Sequence, residues 1–339
     1  MVALLLAGCH SVKDSEALAR FEFNEPHMGT LFSITLYARD AGEANAAAEA
    51  AFAEVAKLDR MMTDYDPSSE LMQLCRRPVG EPTRVSPELF ELLAESLRVA
   101  RETDGAFDIT VGPFVRAWRA ARKSKILPSA GELARLRANV GYEHVRLDAK
   151  TKTVTLLAPD MQLDLGGIAK GYAADRALEK MRRYGVTRAL VAASGDIAIG
   201  DAPPGKAGWR VGIAALDGAA GELARTVLLA NAGVSTSGDS EQNVEIGGVR
   251  YSHIIDPQTG LGMTNHIQTT IIGPNATITD GLDTPTAIMG VERGMKLING
   301  QRGLAALFVV REGMKVETVV SKEFARRFGV GGDTVIIYR

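Results

Sequence analysis

The chain has 339 residues, of which 46% are hydrophobic and 24% are charged, as in an ordinary globular protein. Its net charge of -2 gives no electrostatic reason to expect nucleic acid as a partner. The sequence contains two cysteines, Cys9 and Cys75, so a disulfide framework is excluded by their number. A chain of this length can bury a large core, in one domain or in two closely joined ones.

The N-terminus carries an apolar run that ends in Leu6-Ala7-Gly8-Cys9. This ending is similar to a bacterial lipoprotein signal, in which the cysteine is lipidated and becomes the new N-terminus. The polar residues that follow are typical of a tether. We therefore expect residues 1–20 to be a signal remnant and tether, and residues 21–339 to be the folded domain. The alternative is an apolar N-terminus that carries no lipid.

The first half of the chain shows clear helix and strand signals. Residues 30–37 alternate between apolar and polar side chains, which predicts a half-buried strand. An alanine-rich stripe predicts a helix over residues 41–62. Ser86 and Pro87 are typical of a helix start, and the pattern extends to about Thr103. Residues 105–114 have no helical or strand period and are interpreted as an ordered loop.

The most informative stretch is residues 164–175. An apolar, strand-like approach runs into Gly166 and Gly167, and a helical pattern begins at Ile168. The N-terminus of a helix favours an anionic group, and Lys170 adds a cation in the first turn. Asp164 precedes the turn, where it is placed to accept hydrogen bonds or to help hold a metal. The alternative is a simple strand-to-helix turn with a solvated lysine.

The second half of the chain alternates strands with polar segments. An apolar strand over residues 188–193 leads into a loop over residues 194–197, and residues 234–239 are rich in hydroxyls and turn formers. His253 lies in a predicted strand, where a histidine is usually structural.

A predicted helix over residues 276–289 carries acidic and hydroxyl side chains. Asp280 and Thr284 share one face, with Asp283 beside them. Carboxylate and hydroxyl oxygens are ligands that Mg2+ accepts. The alternative is helix capping, which Pro285 favours because proline is tolerated in a first turn.

Together these segments resemble the ApbE family of flavin transferases, which attach FMN to proteins by cleaving FAD. The resemblance extends from Met28 to the C-terminus. It rests on the joint occurrence, in this order, of residues 28–30, 105–113, 164–175, 194–197, 235–239, 252–260 and 280–284. The resemblance implies an α+β fold of the ApbE type, which is T-fold-like, with mixed sheets flanked by helices and two lobes around an FAD cleft. We expect the loops that begin at Gly105, Gly166, Ser194 and Ser235 to converge on that cleft.

The resemblance also implies a role for individual residues. The positions that match the FAD site are Met28, Tyr65, Ala106, Phe107, Asp108, Asp164, Lys170, His253 and Ile255. The positions that match Mg2+ ligands are Gly167, through its carbonyl, Asp280 and Thr284, with Asp283 as a further ligand. Three positions depart from the common pattern. Asp283 stands where many members have alanine, Ser194 where glycine is common, and Pro285 in a segment that is usually uninterrupted helix.

The implied reaction is the attack of a Thr or Ser hydroxyl of an acceptor flavoprotein on the FMN-side phosphorus of FAD, with AMP leaving. Mg2+ and Lys170 would neutralise the phosphoryl oxygens. The attacking hydroxyl needs a base within hydrogen-bond reach, for which His253 is the first candidate and Asp280 the second. Met28, Tyr65 and Phe107 are candidates for the walls that contact the flavin and adenine rings.

Two other functions use the same residues. With water as the acceptor, the chain would be an Mg2+-dependent FAD pyrophosphatase that yields FMN and AMP. Without catalysis, it would be an FAD-binding lipoprotein. For the transferase, the resemblance implies an acceptor motif of the type Ser/Thr-Gly-Ala-Ser/Thr, in a protein such as a subunit of a membrane electron-transfer complex. With Cys9 lipidated, we expect the enzyme in the periplasm or on the outer face of the bacterial inner membrane.

Overall fold

A computed structural model describes residues 17–216, 223–238, 243–330 and 335–338 of the chain. Within these residues the strands are β1 (Ala19–His27), β2 (Thr30–Ala38), β3 (Thr83–Arg84), β4 (Val145–Asp148), β5 (Thr153–Leu156), β6 (Ala189–Ala193), β7 (Asp196–Ile199), β8 (Trp209–Ala214), β9 (Leu223–Leu229), β10 (Ala232–Ser237), β11 (Asn243–Ile246), β12 (Val249–Ser252), β13 (His266–Gly273), β14 (Ala305–Glu312), β15 (Lys315–Val320) and β16 (Val335–Ile337). The helices are α1 (Ala41–Met62), α2 (Glu70–Cys75), α3 (Pro87–Glu102), α4 (Gly112–Ser124), α5 (Ala130–Arg137), α6 (Ala169–Arg183), α7 (Ala276–Asn299) and α8 (Lys322–Phe328).

A nine-stranded sheet forms the centre of the fold. Its strand order is β1-β2-β6-β7-β10-β13-β14-β15-β16. Neighbouring strands are antiparallel, except that β15 and β16 run parallel. Smaller sheets pair β5 with β3 and with β4, β8 with β9, and β11 with β12. The mixed sheet and its flanking helices confirm the predicted α+β class.

The two faces of the sheet bury different cores, because successive side chains of a strand point to opposite faces. On β14, Ala306 and Phe308 join the larger core, which also holds apolar residues of α1, α3, α6 and α7. Ala305 and Leu307 join the other core, which the β8–β9 hairpin and Phe324 of α8 cover. The central strands are therefore covered on both faces, as the continuous apolar run over residues 188–193 predicts.

A third, small apolar cluster lies apart from these two cores. It joins Trp118 and Ala121 of α4 to Val244 and Ile246 of β11, with Tyr251 of β12 packed against it. The rings of Trp118 and Tyr251 are 5.5 Å apart. We call this cluster the small lobe, and the remainder of the described fold the main body.

Several predicted elements have the expected boundaries, and one helix was missed. Helix α1 covers the predicted residues, and the Ser86 side chain caps α3 as predicted. The interpretation of residues 105–114 as a loop is wrong at its end, because α4 begins at Gly112. Pro113 stands in its first turn, where proline is well tolerated. The spacing of Phe114, Trp118 and Ala121 is the helical signal that was available.

Two polar segments that were expected to be loops or turns are strands of the central sheet. Asp196 opens β7, and Ser235 lies within β10 directly opposite Asp196. Their polar side chains were the reason for the loop interpretation, whereas sheet pairing on both sides of each strand decides the structure. His253 lies one residue beyond β12 rather than inside a strand. Asp239 is outside the described residues.

Pro285 does not end its helix. Helix α7 continues past Pro285, and its one non-helical residue between Ala276 and Asn299 is Gly290, with φ 73°. The Thr286 hydroxyl donates to the carbonyl oxygens of Leu282 and Asp283, at 2.7 and 2.9 Å, close to the position where proline removes a backbone donor. The segment that carries Asp280, Asp283 and Thr284 is therefore helical, as predicted.

Helices α6 and α7 cross at a glycine. A Cβ atom on Gly171 would lie 2.3 Å from the Ala276 carbonyl oxygen and 2.7 Å from Cβ of Asp280. We expect Gly171→Ala to lower the free energy of unfolding by about 1–3 kcal/mol, as overpacking does, and to displace Asp280. Gly131→Ala, also in the first turn of a helix, meets no atom within 4 Å and should leave stability unchanged or slightly raised. Urea unfolding of both variants checks this, and equal stabilities would contradict it.

The predicted boundary of the folded domain falls within β1, which begins at Ala19 and pairs Ala19 with Ala38. Cys9 lies outside the described residues. Among the helices of the described residues, none combines the length and apolar character needed to cross a membrane.

Candidate functional site

The central stretch and the loop before α4 lie side by side. The Asp164 N–H donates to the Ile109 carbonyl oxygen at 2.8 Å, and the Gly112 N–H donates to the Gln162 carbonyl oxygen at 3.2 Å. The Asp164 carboxylate in turn accepts from the Gly166 N–H at 2.8 Å. The predicted convergence of the loops at Gly105 and Gly166 is therefore confirmed.

Asp108 organises its own loop. Its Oδ1 accepts from the N–H and the hydroxyl of Thr110, at 2.8 and 2.6 Å, and its Oδ2 accepts from the Tyr142 N–H at 3.0 Å. Burial raises the pKa of Asp108, and these hydrogen bonds act in the opposite direction. The carboxylate is thus engaged within the protein, where it fixes the walls formed by Ala106 and Phe107.

Two adjoining clefts flank the central stretch. The larger cleft has a volume of ≈ 510 Å³. Its lining includes Met28, Asp59, Asp64, Ala169 and Lys170. The smaller cleft, with a volume of ≈ 300 Å³, is lined among others by Ala106, Phe107, Asp108, Trp118, Gly167, His253, Ile255 and Thr284. Both clefts share Tyr65, Arg119, Asp164 and Gly166, so they meet at these four residues.

All nine residues predicted to contact the ligand line one or both clefts. The smaller cleft lies where the small lobe meets the main body. Trp118 belongs to the small lobe and Ile255 packs against it, whereas Phe107 belongs to the larger core of the main body. The structure therefore brings the predicted residues together, while their individual roles stay predictions.

Met28 reaches the larger cleft from the tip of the β1–β2 hairpin. Met28 and Gly29 both have positive φ, of 50° and 71°, as a two-residue hairpin turn requires. The Met28 N–H donates to Asp59 Oδ2 of α1 at 2.8 Å. This bond fixes the hairpin tip against α1.

Three buried carboxylates lie at the crossing of α6, α7 and β7. Oxygen atoms of Asp196, Asp280 and Asp283 are all within 4.8 Å of one another, and each residue is at most 3% exposed. We call these residues the carboxylate trio. Lys170 forms an ion pair with Asp196, and Asp280 accepts from the Gly171 N–H at 2.7 Å. The trio thus faces the first turn of α6, where the helix dipole favours negative charge.

The electrostatics of the trio follow from its burial. Burial raises the pKa of Asp280 to about 7, Asp196 adds to the effect, and Lys170 and the Gly171 N–H oppose it. Burial, then Asp196 and Asp280, raise the pKa of Asp283 well above its usual range. Burial favours neutral Lys170, but the charges of Asp280 and Asp196 outweigh it and raise its pKa. Three acids face one lysine, so full ionisation of the trio needs a further cation, and the raised pKa values of Asp280 and Asp283 reflect that need.

Hydroxyl groups connect the trio to the sheet and to the smaller cleft. Ser235 and Thr279 share a hydrogen bond at 2.9 Å, and Ser237 and Thr284 share one at 3.0 Å. The backbone turn at Ser194 and Gly195 approaches Thr236 so closely that a Cβ on Gly195 would lie 2.7 Å from its carbonyl oxygen. The segments at Ser194 and Ser235 thus meet each other beside the trio, while their predicted convergence on the FAD cleft stays a prediction.

Comparison with known proteins identifies the fold. The sequence model of the ApbE family matches residues 28–308. The chain belongs to the ApbE family. The FAD:protein FMN transferase of Klebsiella pneumoniae is 32% identical over 97% of this chain and 95% of its own length, and that of Escherichia coli K12 is 30% identical over 88% and 86%. Membership confirms that the chain is an enzyme, a transferase.

Solved structures of the family agree with the fold described above. The flavinyl transferase ApbE of Pseudomonas stutzeri, in its apo form, superimposes with a TM-score of 0.82 at 30% identity, over 94% of this chain and 100% of the other. The flavin transferase ApbE of Vibrio cholerae gives 0.80 at 28% identity, over 92% and 100%. The predicted ApbE-like architecture is confirmed.

Sequence reasoning missed two residues of this site. Asp196, in the predicted loop over residues 194–197, was given no role. Its place in the trio depends on the pairing of β7 with β10, which the sequence alone does not show. Arg119 was missed because its helix, α4, was not predicted. Once α4 is recognised, the position of Arg119 one residue after Trp118 would have marked it as a candidate site residue.

Proposed function

We propose that this chain transfers FMN from FAD to a Thr or Ser hydroxyl of an acceptor protein, through a phosphoester bond, with release of AMP and with Mg2+ as cofactor. The observation that carries the proposal is the position of Lys170. Its side chain lines the larger cleft, pairs with Asp196, and is adjacent to the carboxylate trio. Two joined clefts beside one charged centre suit a substrate with two ring systems and a diphosphate between them.

The residues present fit a divalent cation. The trio sets three carboxylates against one lysine, and their oxygen atoms are close enough to share one ion. Asp280, Asp283 and Thr284 would hold the Mg2+, with the Gly167 carbonyl as a fourth candidate, because Gly167 and Thr284 line the same cleft. When bound, Mg2+ would neutralise charge on the phosphoryl oxygens of the substrate.

The chain's own groups bind and orient the substrate. Lys170, at the N-terminus of α6, provides a cation for the diphosphate, and Asp196 holds the Lys170 ammonium in place. His253 lies at the smaller cleft with Thr284, where a base for the acceptor hydroxyl is needed. Met28, Tyr65 and Phe107 provide apolar and aromatic walls for the two ring systems.

The test is an incubation of the protein with FAD, Mg2+ and a peptide that carries the Ser/Thr-Gly-Ala-Ser/Thr motif. We expect the peptide to gain the mass of FMN less one water and AMP to appear in equal amount, and a matched peptide with alanine at the acceptor position to stay unmodified. Free FMN and AMP with an unmodified peptide would identify a pyrophosphatase instead. Intact FAD would leave only binding, which makes no use of a carboxylate trio beside Lys170. A subunit of a membrane electron-transfer complex is the acceptor we propose in the cell.

We further propose that Cys9 is lipidated and holds the enzyme on the outer face of the bacterial inner membrane or in the periplasm. The support is Leu6-Ala7-Gly8-Cys9 followed by a polar stretch. With a functional signal sequence in front, Cys9→Ser should move the protein from the membrane fraction to the soluble fraction with unchanged activity, because a lipidated cysteine supplies the chains needed for stable anchoring. Cys75→Ser is the matched control and should stay in the membrane. Retention of the Cys9→Ser variant in the membrane would contradict lipidation.

A further inference from the structure

Tyr65 and Arg119 lie at the junction of the two clefts, since both residues line both. The Arg119 guanidinium lies 4.3 Å from the centre of the Tyr65 ring. The Tyr65 residue is nevertheless 76% exposed, so the guanidinium leaves much of the ring open. An exposed tyrosine on a turn would ordinarily sample several rotamers, and an arginine stacked on the ring restricts it.

Arg119 is itself anchored to two separate segments. Its Nη1 donates to Asp64 Oδ2 at 2.6 Å, and its Nη2 lies 3.6 Å from Asp164 Oδ2. Asp64 follows α1, Asp164 precedes α6, and Arg119 belongs to α4. A planar guanidinium can serve two carboxylates and a ring face at once, which a lysine ammonium cannot do.

The two carboxylates need this cation between them. Burial raises the pKa of Asp164, the charge of Asp64 raises it further, and the Gly166 N–H and Arg119 act in the opposite direction. The side chains of Asp64 and Asp164 are 18% and 15% exposed, so water screens their repulsion only in part. The two carboxylates therefore hold the Arg119 guanidinium in place against the ring of Tyr65.

We propose that Arg119 is a positioning residue for the FAD substrate that acts through Tyr65. By covering one part of the ring and anchoring to Asp64 and Asp164, it holds the ring as a fixed stacking surface where the two clefts meet. The role rests on the proposed function, because it assumes FAD as the ligand of the clefts. A preorganised ring costs less conformational entropy on binding than a mobile one.

The test is a double-mutant cycle on FAD affinity, measured by quenching of flavin fluorescence in the full chain without acceptor. We expect Arg119→Met to weaken FAD binding about fivefold, as the loss of one cation–π contact does. In a Tyr65→Leu background, the same change should alter the affinity less than about twofold, because the ring through which Arg119 acts is gone. Lys123→Met is the matched control, since Lys123 is an exposed cation on the same helix and lines neither cleft. It should change the affinity less than about twofold.

Two results would overturn the proposal. An equal loss from Arg119→Met in both backgrounds would mean that Arg119 acts independently of Tyr65. Full recovery of affinity in Arg119→Lys would mean that charge alone is needed, because lysine keeps the charge but not the planar stacking. In turnover assays Arg119→Met should raise KM for FAD with kcat unchanged, and a fall in kcat alone would also contradict the role. Failure of the unmodified protein to bind FAD would instead overturn the proposed function itself.

Discussion

Replacing Asp280 by alanine should lower FMN transfer by about a hundredfold to a thousandfold while much of the FAD affinity remains. Loss of one preorganised group that stabilises transition-state charge has effects of this size. Asp280 is buried in the carboxylate trio beside Lys170, whereas the other predicted ligand contacts line the clefts on different segments. Transfer rates at saturating FAD, together with FAD affinity from fluorescence, measure both parts of this expectation.

Asp280→Asn separates charge from folding. The amide can still accept from the Gly171 N–H, so this variant should be as inactive as the alanine variant but better folded. Asp175→Asn is the control for a partly buried acid on the neighbouring helix α6. Asp175 accepts from Thr277 at the start of α7 and lines neither cleft, so its loss should reduce stability without reducing transfer by folded protein. Full transfer by Asp280→Ala, or transfer unaffected by EDTA, would remove Mg2+ from the mechanism.

Replacing Lys170 by methionine should abolish transfer and destabilise the protein in a way that Mg2+ partly reverses. Removing one partner of a buried ion pair costs about 3–5 kcal/mol, because the other charge stays buried without compensation. Here the variant leaves Asp196, at 2% exposure, and the rest of the trio without their cation. Chemical unfolding with and without Mg2+ measures the effect.

Lys180→Met is the matched control for this experiment. Lys180 lies on the same helix and pairs with the buried Glu54 at 3.1 Å, but it lines neither cleft. Glu54 keeps Lys57 at 3.7 Å, so we expect a smaller loss that Mg2+ does not alter. Adding Asp196→Asn to Lys170→Met should restore part of the stability, since the unpaired carboxylate is then gone. A Mg2+-independent loss for Lys170→Met would contradict the proposed cation site.

Local patterns in the sequence predicted much of the fold. The stripe of α1, the cap at Ser86 and the alternation in β2 are signals carried by neighbouring residues, and the structure confirms them. The central stretch was predicted as a strand-to-helix turn, and its helix is confirmed from Ala169, but the approach before Gly166 is an irregular segment with an isolated bridge at Gln162 rather than a strand. Helix α4 was missed because its arginines and its initial Gly-Pro conceal a short apolar stripe.

The remaining features of the site depend on contacts between distant segments. Asp196 and Ser235 face each other because β7 pairs with β10, and polar side chains in both segments had indicated loops. The contacts of Arg119 with Asp64, Tyr65 and Asp164 span three segments, so no local spacing predicts them. Two of the three residues of the trio were predicted. Asp280 and Asp283 share a helix, whereas Asp196 joins them through the sheet.

A crystal structure of the protein with FAD and Mn2+, with anomalous diffraction to locate the metal, tests the proposed metal and substrate sites most directly. We expect one anomalous peak among the oxygens of Asp280, Asp283 and Thr284, and FAD across both clefts with its diphosphate beside Lys170. A peak away from these side chains would contradict this expectation. So would FAD bound elsewhere, for example in the cavity beside Arg176 and Arg182 on the other side of α6.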